Sequence, residues 1–257
     1  MKKVRVLVLR TAGTNCDYET QFAFELCGAH VERVHVNVLI EKKEKIFEYD
    51  ILAFPCGFSY GDDIASGKIL SNEVKNKLGD RIKKFALDGR PVIRICNGFQ
   101  VFVKMGLLPD LDIFEQVSTL YRNDSNKFEC CWVYLKNEER NNCIWTKKLL
   151  NIISSPVAHS ECKFVPINRK LLDILNKNNQ VVFKYSSKSG NKPKYPLNPN
   201  GSIEEVATLS NVKGNVFVIM PHPERYIFAL QHPGRIGFNS KYGFRKIIFQ
   251  NAVYFVK

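Results

Sequence analysis

The sequence predicts a doubly wound α/β fold, with a mostly parallel sheet and helices on both faces. Three observations predict it. Short apolar, β-branched runs recur at residues 4–9, 50–54, 92–95 and 216–220, as buried parallel strands require. Helix-compatible stretches separate them and close at Gly28, Gly89 and Gly106, where a left-handed residue is cheap. The residues with the strongest chemical character each follow one of the apolar runs, and in such a sheet the loops at the carboxyl ends of the strands gather around the ligand.

Residues 4–9 are apolar apart from Arg5 and read as the first strand. Asp17 is placed to cap a helix that carries Phe22, Ala23, Leu26 and Cys27 on one face and stops at Gly28. Val34, Val36 and Val38 alternate with His35 and Asn37, which suggests a second strand; residues 50–54 suggest a third. Residues 71–87 form an amphipathic helix closed by Gly89 and Pro91. Residues 92–95 read as a buried strand, followed by a helix over residues 98–105 that ends at Gly106. The least legible region is 109–153, with strand character at 128–135 and a polar loop at 137–142. Residues 180–185 read as another strand and 186–202 have loop composition. Closing strands fall at 206–209 and 216–220. A final helix over 242–255 would pack Phe244, Ile247, Ile248, Asn251 and Tyr254 near one face. We read residues 1–257 as one domain, a length that supports one sizeable core.

Composition narrows the function classes. Hydrophobic residues make up 45% of the chain and charged residues 25%, values ordinary for a globular protein. No apolar run approaches a membrane span, and the run that follows Met1, Lys2 and Lys3 is too short for a signal peptide core. A cytoplasmic location is therefore expected, which makes the glycosylation-like triplets at Asn123 and Asn200 empty. The formal charge of +13 invites a nucleic-acid partner, but the lysines are scattered and do not form a stripe with interleaved aromatics. An acidic partner subunit and a Lys-, Asn- and Ile-rich genome both account for the excess. The eight cysteines include no Cys-x-x-Cys and no metal-like or disulfide-like spacing, so reduced thiols and no metal site are expected.

Cys96 sits where the strand over 92–95 turns sharply into a helix. A side chain at such an elbow is pushed out of the sheet toward solvent, and the free N–H groups of the helix start favour thiolate over thiol. Gly98 lets the helix pack close behind the turn. A cysteine considered alone is more often a buried structural residue. The second feature is Met220-Pro221-His222-Pro223-Glu224-Arg225. Two prolines hold this segment extended, so His222 and Glu224 share a face and the carboxylate orients the imidazole. A thiol nucleophile needs that arrangement: a base, and a group that fixes the base.

Ile95-Cys96-Asn97-Gly98-Phe99-Gln100, Gly57-Phe58-Ser59-Tyr60-Gly61-Asp62 and Pro221-His222-Pro223-Glu224-Arg225 resemble the triad-type, class I glutamine amidotransferases. More narrowly, the chain is similar to the glutaminase-subunit family of phosphoribosylformylglycinamidine synthase. Asn15-Cys16-Asp17, Pro156-Val157-Ala158-His159 and Asn198-Pro199-Asn200-Gly201-Ser202 also fit that family, and the likeness runs from about residue 4 to about residue 255. The resemblance implies glutamine hydrolysis by Cys96, His222 and Glu224, and an oxyanion hole made by the N–H groups of Gly57 and Asn97. It implies Gln100, Phe58 and His159 as residues lining or positioning the glutamine site. It implies a large ATP-dependent synthetase subunit as partner, with ATP and magnesium bound there and no cofactor in this chain, and it leaves a small third subunit open.

The chain departs from the family pattern. Arg94 stands where the elbow normally has glycine, Cys56 replaces the first of two glycines, and Ser160 and Cys162 replace the glycines of His-Gly-Glu-Gly. Ala207-Thr208-Leu209 replaces Ala-Gly-Ile. A positive φ required at any of these positions would be strained. Two other readings stay open: another Cys-His hydrolase on the same fold, and a partner-binding subunit whose site has lost activity. Substrate screening separates the first; reaction of Cys96 with a glutamine-like electrophile separates the second.

Overall fold

The computed structural model describes residues 3–108, 114–236, 242, 243 and 246–257. The strands are β1 (Arg5–Arg10), β2 (His30–His35), β3 (Ile51–Phe54), β4 (Val92–Ile95), β5 (Ser118–Tyr121), β6 (Glu129–Asn137), β7 (Ile152–His159), β8 (Lys163–Pro166), β9 (Val181–Ser186), β10 (Val206–Ser210) and β11 (Val216–Ile219). The α-helices are α1 (Asp17–Glu25), α2 (Val36–Glu41), α3 (Lys68–Leu87), α4 (Asn97–Met105), α5 (Arg169–Lys177) and α6 (Lys246–Phe255). Among the described residues, no helix is long and apolar enough to cross a membrane.

Nine strands form one sheet in the order β2-β1-β3-β4-β11-β10-β9-β6-β7. The five strands from β2 to β11 run parallel. Every residue of β3, β4 and β11 is buried, as continuous apolar sequence demands of strands covered on both faces. From β10 to β7 the sheet continues antiparallel, and β5 pairs with β8 as a separate ribbon. The expected doubly wound α/β class is the class observed. α1 packs with α6, where Phe24 meets Phe249 edge-on at 5.0 Å between ring centroids. α3 packs with α4, presenting Leu70, Val74, Leu78, Ile82 and Phe85 at helical spacing.

Three sequence expectations are corrected. The second strand is His30–His35, and the valines that appeared to alternate belong largely to α2. Val36 and Leu39 are its buried pair, a spacing of three, and the His35 ring accepts from the Asn37 N–H at 3.3 Å to start the helix. Asp17 is not a cap. It is the first residue of α1, buried, with its Oδ2 3.2 Å from Arg33 Nη1, and the buried face is Asp17, Thr20, Ala23 and Phe24, leaving Phe22 exposed. In α6 the buried stripe is Ile248, Phe249, Ala252 and Val253, because this stripe faces α1; Tyr254 is exposed. Tyr242 bridges to Phe228 and is outside the helix, and the expectation for Phe244 lies outside the described residues.

Candidate active site

The parallel strands bring the chemistry together. Ile219 of β11 is in register with Ile95 of β4, and Phe54 of β3 with Arg94. Cys96, the His222 segment and the Cys56–Gly57 turn therefore leave one edge of the sheet side by side. β1, paired to β3, delivers Asn15 and Cys16 to the same edge, and their N–H groups both bond the Cys56 carbonyl at 3.2 Å.

Cys96 has φ 50° and ψ −100°. A non-glycine residue holds such angles only where its surroundings over-determine it, at about 1–3 kcal/mol. Here the Cys96 N–H donates to the Ile219 carbonyl at 2.8 Å, and its own carbonyl accepts from Phe99 and Gln100 at 2.9 and 3.1 Å. Strand pairing on one side and the first turn of α4 on the other thus lock a sharp elbow. Gly98 makes it possible: a Cβ there would lie 2.4 Å from the Phe54 carbonyl oxygen. None of Arg94, Cys56, Ser160, Cys162 or Thr208 has a positive φ, so the glycine replacements add no left-handed strain. Arg94 instead buries a guanidinium over the rings of Phe54 and Phe102, with no acceptor among the described residues.

The elbow does not expose its side chain. Cys96 is 4% accessible, because the end of β7 and the turn after it cover it: its Sγ lies 3.8 Å from the Ala158 carbonyl, and the Cys162 thiol is beside it. Nor does the helix start prevail over these neighbours. The contact with Cys162, together with burial, pushes the Cys96 thiol up to about 11, against the opposing pull of Cys56 and His222.

His222 and Glu224 are both buried, with Nδ1 2.7 Å from Oε1. The pairing is as expected but its backbone is not extended. Pro223–Arg225 forms a 3-10 turn, which brings the carboxylate back to the ring. Burial disfavours imidazolium, yet the Glu224 carboxylate and the surrounding thiols outweigh it and raise the His222 pKa well above its ordinary value. With Nδ1 committed to Glu224, Nε2 faces the thiols of Cys16 and Cys96 without a well-formed hydrogen bond among the described residues.

The Phe58 N–H donates to the Gly13 carbonyl at 2.8 Å and the Ser59 N–H to Asn97 Oδ1 at 3.3 Å. Gly57 immediately precedes these anchored residues, and a Cβ there would meet the Gly13 oxygen at 2.5 Å. The Asn97 N–H belongs to the first turn of α4, which has no intrahelical acceptor. Gln100 is occupied internally. Its Nε2 donates to the Glu161 carbonyl at 2.6 Å and its Oε1 accepts from Asn97 Nδ2 at 3.0 Å, so it fixes the wall of the site. His159 is buried with both ring nitrogens unpartnered among the described residues, and burial drives its pKa down to about 3. Phe58 is half exposed and lies 6.5 Å, centroid to centroid, from Phe128. Phe128 in turn lines a cavity of about 380 Å³ with Arg122, Asn126, Lys127, Ser160 and Glu161.

Sequence reasoning missed two features. Asp62 Oδ1 accepts from the Gly67 N–H at 2.9 Å and from Asn97 Nδ2 at 3.2 Å, tying the Gly57 loop to α4. The second is a thiol cluster. Cys16, Cys56, Cys96 and Cys162 follow one another in contact around His222. They come from four separate loops, so linear spacing carries no trace of the group.

A thiol at a strained elbow beside a carboxylate-held histidine is the geometry of a cysteine hydrolase. The CobB/CobQ-like glutamine amidotransferase domain model matches residues 3–256. The chain belongs to this family. Among amidotransferases of known sequence, it is 45% identical to "Phosphoribosylformylglycinamidine synthase subunit PurQ" of Dehalococcoides mccartyi over 91% of this chain and 89% of that one. It is 39% identical to the subunit of the same name from Archaeoglobus fulgidus over 98% and 97%. The PurQ family thus includes this chain. A solved chain titled "Structure of PurLQS from Thermotoga maritima" superposes with a TM-score of 0.76 at 31% identity, covering both chains fully.

Proposed function

We propose that this chain, as one amidotransferase domain, is the glutaminase of phosphoribosylformylglycinamidine synthase and acts in the cytoplasm. The observation that carries the reading is the shared sheet edge: Cys96 at the end of β4 and the His222–Glu224 pair at the end of β11, in adjacent parallel register.

His222 Nε2 takes the Cys96 proton, and the raised basicity that Glu224 and the nearby thiols confer on the imidazole offsets the weak acidity of the thiol. The thiolate attacks the side-chain amide carbon of glutamine. The N–H groups of Gly57 and Asn97 receive the developing oxyanion, each worth about 3 kcal/mol of barrier in sites of this kind. The imidazolium returns its proton to the departing nitrogen and ammonia leaves. Water, deprotonated by His222, then cleaves the glutamyl thioester and releases glutamate and the thiol. Glutamine is a zwitterion, and the cavity beside Ser160 offers Arg122 and Lys127 to its carboxylate and Glu161 to its ammonium.

The ammonia serves a large ATP-dependent synthetase subunit, which holds ATP and magnesium and amidates formylglycinamide ribonucleotide to formylglycinamidine ribonucleotide. The relatives' name, a synthase subunit, supports a partnered role. The test is labelling with an electrophilic glutamine analogue in the assembled complex. One adduct on Cys96, blocked by glutamine and absent in Cys96→Ala, supports the reading; a Cys96 that stays unlabelled while the complex is folded overturns it.

A further inference from the structure

We infer that the thiol cluster around His222 is an inhibitory binding site for a thiophilic divalent metal ion such as zinc. Cys16 Sγ, Cys56 Sγ and a His222 ring nitrogen all lie within 4.8 Å of one another, and all three residues are buried. Thiolate and imidazole donors in a compact, buried group select zinc, cadmium and copper(I) over magnesium or calcium.

A second observation points to the same ligand. His222 Nε2 is buried and has no hydrogen-bond partner among the described residues, while Nδ1 is held by Glu224 at 2.7 Å. That is the outer-shell arrangement of a metal-bound histidine: the carboxylate holds Nδ1 and leaves Nε2 as the ring position a metal ion takes in place of a proton. Two thiolates and a neutral imidazole balance a dipositive ion. Arg225 Nη2 lies 3.0 Å from Cys16 Sγ and fixes its position in the group. Cys96 touches Cys56 at the edge of this group and is not one of its three donors.

Binding releases the protons of the coordinating thiols and of His222 Nε2 and forms metal–sulfur and metal–nitrogen bonds; nothing is oxidised. It also occupies the His222 lone pair that accepts the Cys96 proton. The ion therefore blocks glutamine hydrolysis reversibly, and a chelator restores it. The inhibitory consequence rests on the glutaminase reading above, whereas the binding itself does not.

The experiment titrates the full chain with cadmium, following the ultraviolet sulfur-to-cadmium charge-transfer band, and with zinc against a chromophoric chelator. The variants are Cys56→Ala, Cys16→Ala and, as a control remote from the cluster, Cys143→Ala. One ion per wild-type chain is expected, with affinity reduced on the order of 10²-fold or more in Cys56→Ala and Cys16→Ala and unchanged in Cys143→Ala. Taken relative to each protein's own metal-free rate, glutamine turnover in the complex should be zinc-sensitive in wild type and resistant in Cys56→Ala. Wild-type protein that turns over glutamine but binds no ion, or binding that survives both cluster variants, overturns the inference. Binding with no turnover in metal-free complex would overturn the glutaminase reading and leave the metal site standing.

Discussion

His222 Nδ1 lies 2.7 Å from Glu224 Oε1, and both side chains are excluded from solvent. Glu224→Gln keeps the shape but removes the charge that raises the imidazole pKa. Turnover should fall on the order of 10²–10⁴-fold with little change in KM. The acid limb of kcat/KM should move to lower pH, because a less basic His222 stays deprotonated further into acid. Steady-state kinetics across pH in the assembled complex check both effects.

Gly57 admits no side chain. Its Cβ would lie 2.5 Å from the Gly13 oxygen and 2.7 Å from Thr14 Cα. Gly57→Ala must displace the turn and with it the oxyanion donor. We expect kcat to drop by about 10²–10³-fold, with the fold retained by circular dichroism.

Arg94 is fully buried, and burial alone drives its pKa well below the ordinary guanidinium value. A desolvated cation with no acceptor among the described residues costs more than its contacts with Phe54 and Phe102 return. Arg94→Met should stabilise the chain by roughly 1–4 kcal/mol, read as a higher denaturant midpoint. A lower midpoint would contradict this account of the residue.

His159 has its folded pKa lowered from 6.5 to about 3, by burial first and then by His222, with Glu129 opposing. Between those values the unfolded chain binds a proton that the folded chain does not, so stability falls as pH falls through this window. The loss from this group is about 1.4 kcal/mol for each pH unit below its unfolded pKa. His159→Gln should flatten the acid side of the stability profile, measured by urea unfolding at several pH values.

Much of this was legible in the sequence, for definable reasons. Val92-Ile93-Arg94-Ile95 followed by Cys96 and Gly98 encodes a strand, an elbow and a close-packed helix within one short stretch, and local sequence sufficed. His222 and Glu224 are two residues apart, so they pair in the observed 3-10 turn as they would in an extended chain. What was hidden depends on contacts between distant segments. The alternation over Val34–Val38 fits a strand and a helix start equally, and only parallel pairing of β2 with β1 decides where the strand ends. The burial of Cys96 comes from the Ala158–Cys162 segment. The thiol cluster needs four loops placed by sheet order.

The central claim, that Cys96 at the end of β4 and His222–Glu224 at the end of β11 form one glutamine-hydrolysing unit, is tested most directly by glutamine hydrolysis of the purified chain. It should be measured alone and with its cognate synthetase subunit, for wild type and Cys96→Ala. The account predicts turnover that appears or rises with the partner and vanishes in Cys96→Ala, while ammonia-driven synthesis by the partner persists. Hydrolysis that survives in Cys96→Ala, or is absent from a folded and bound wild type, would contradict it.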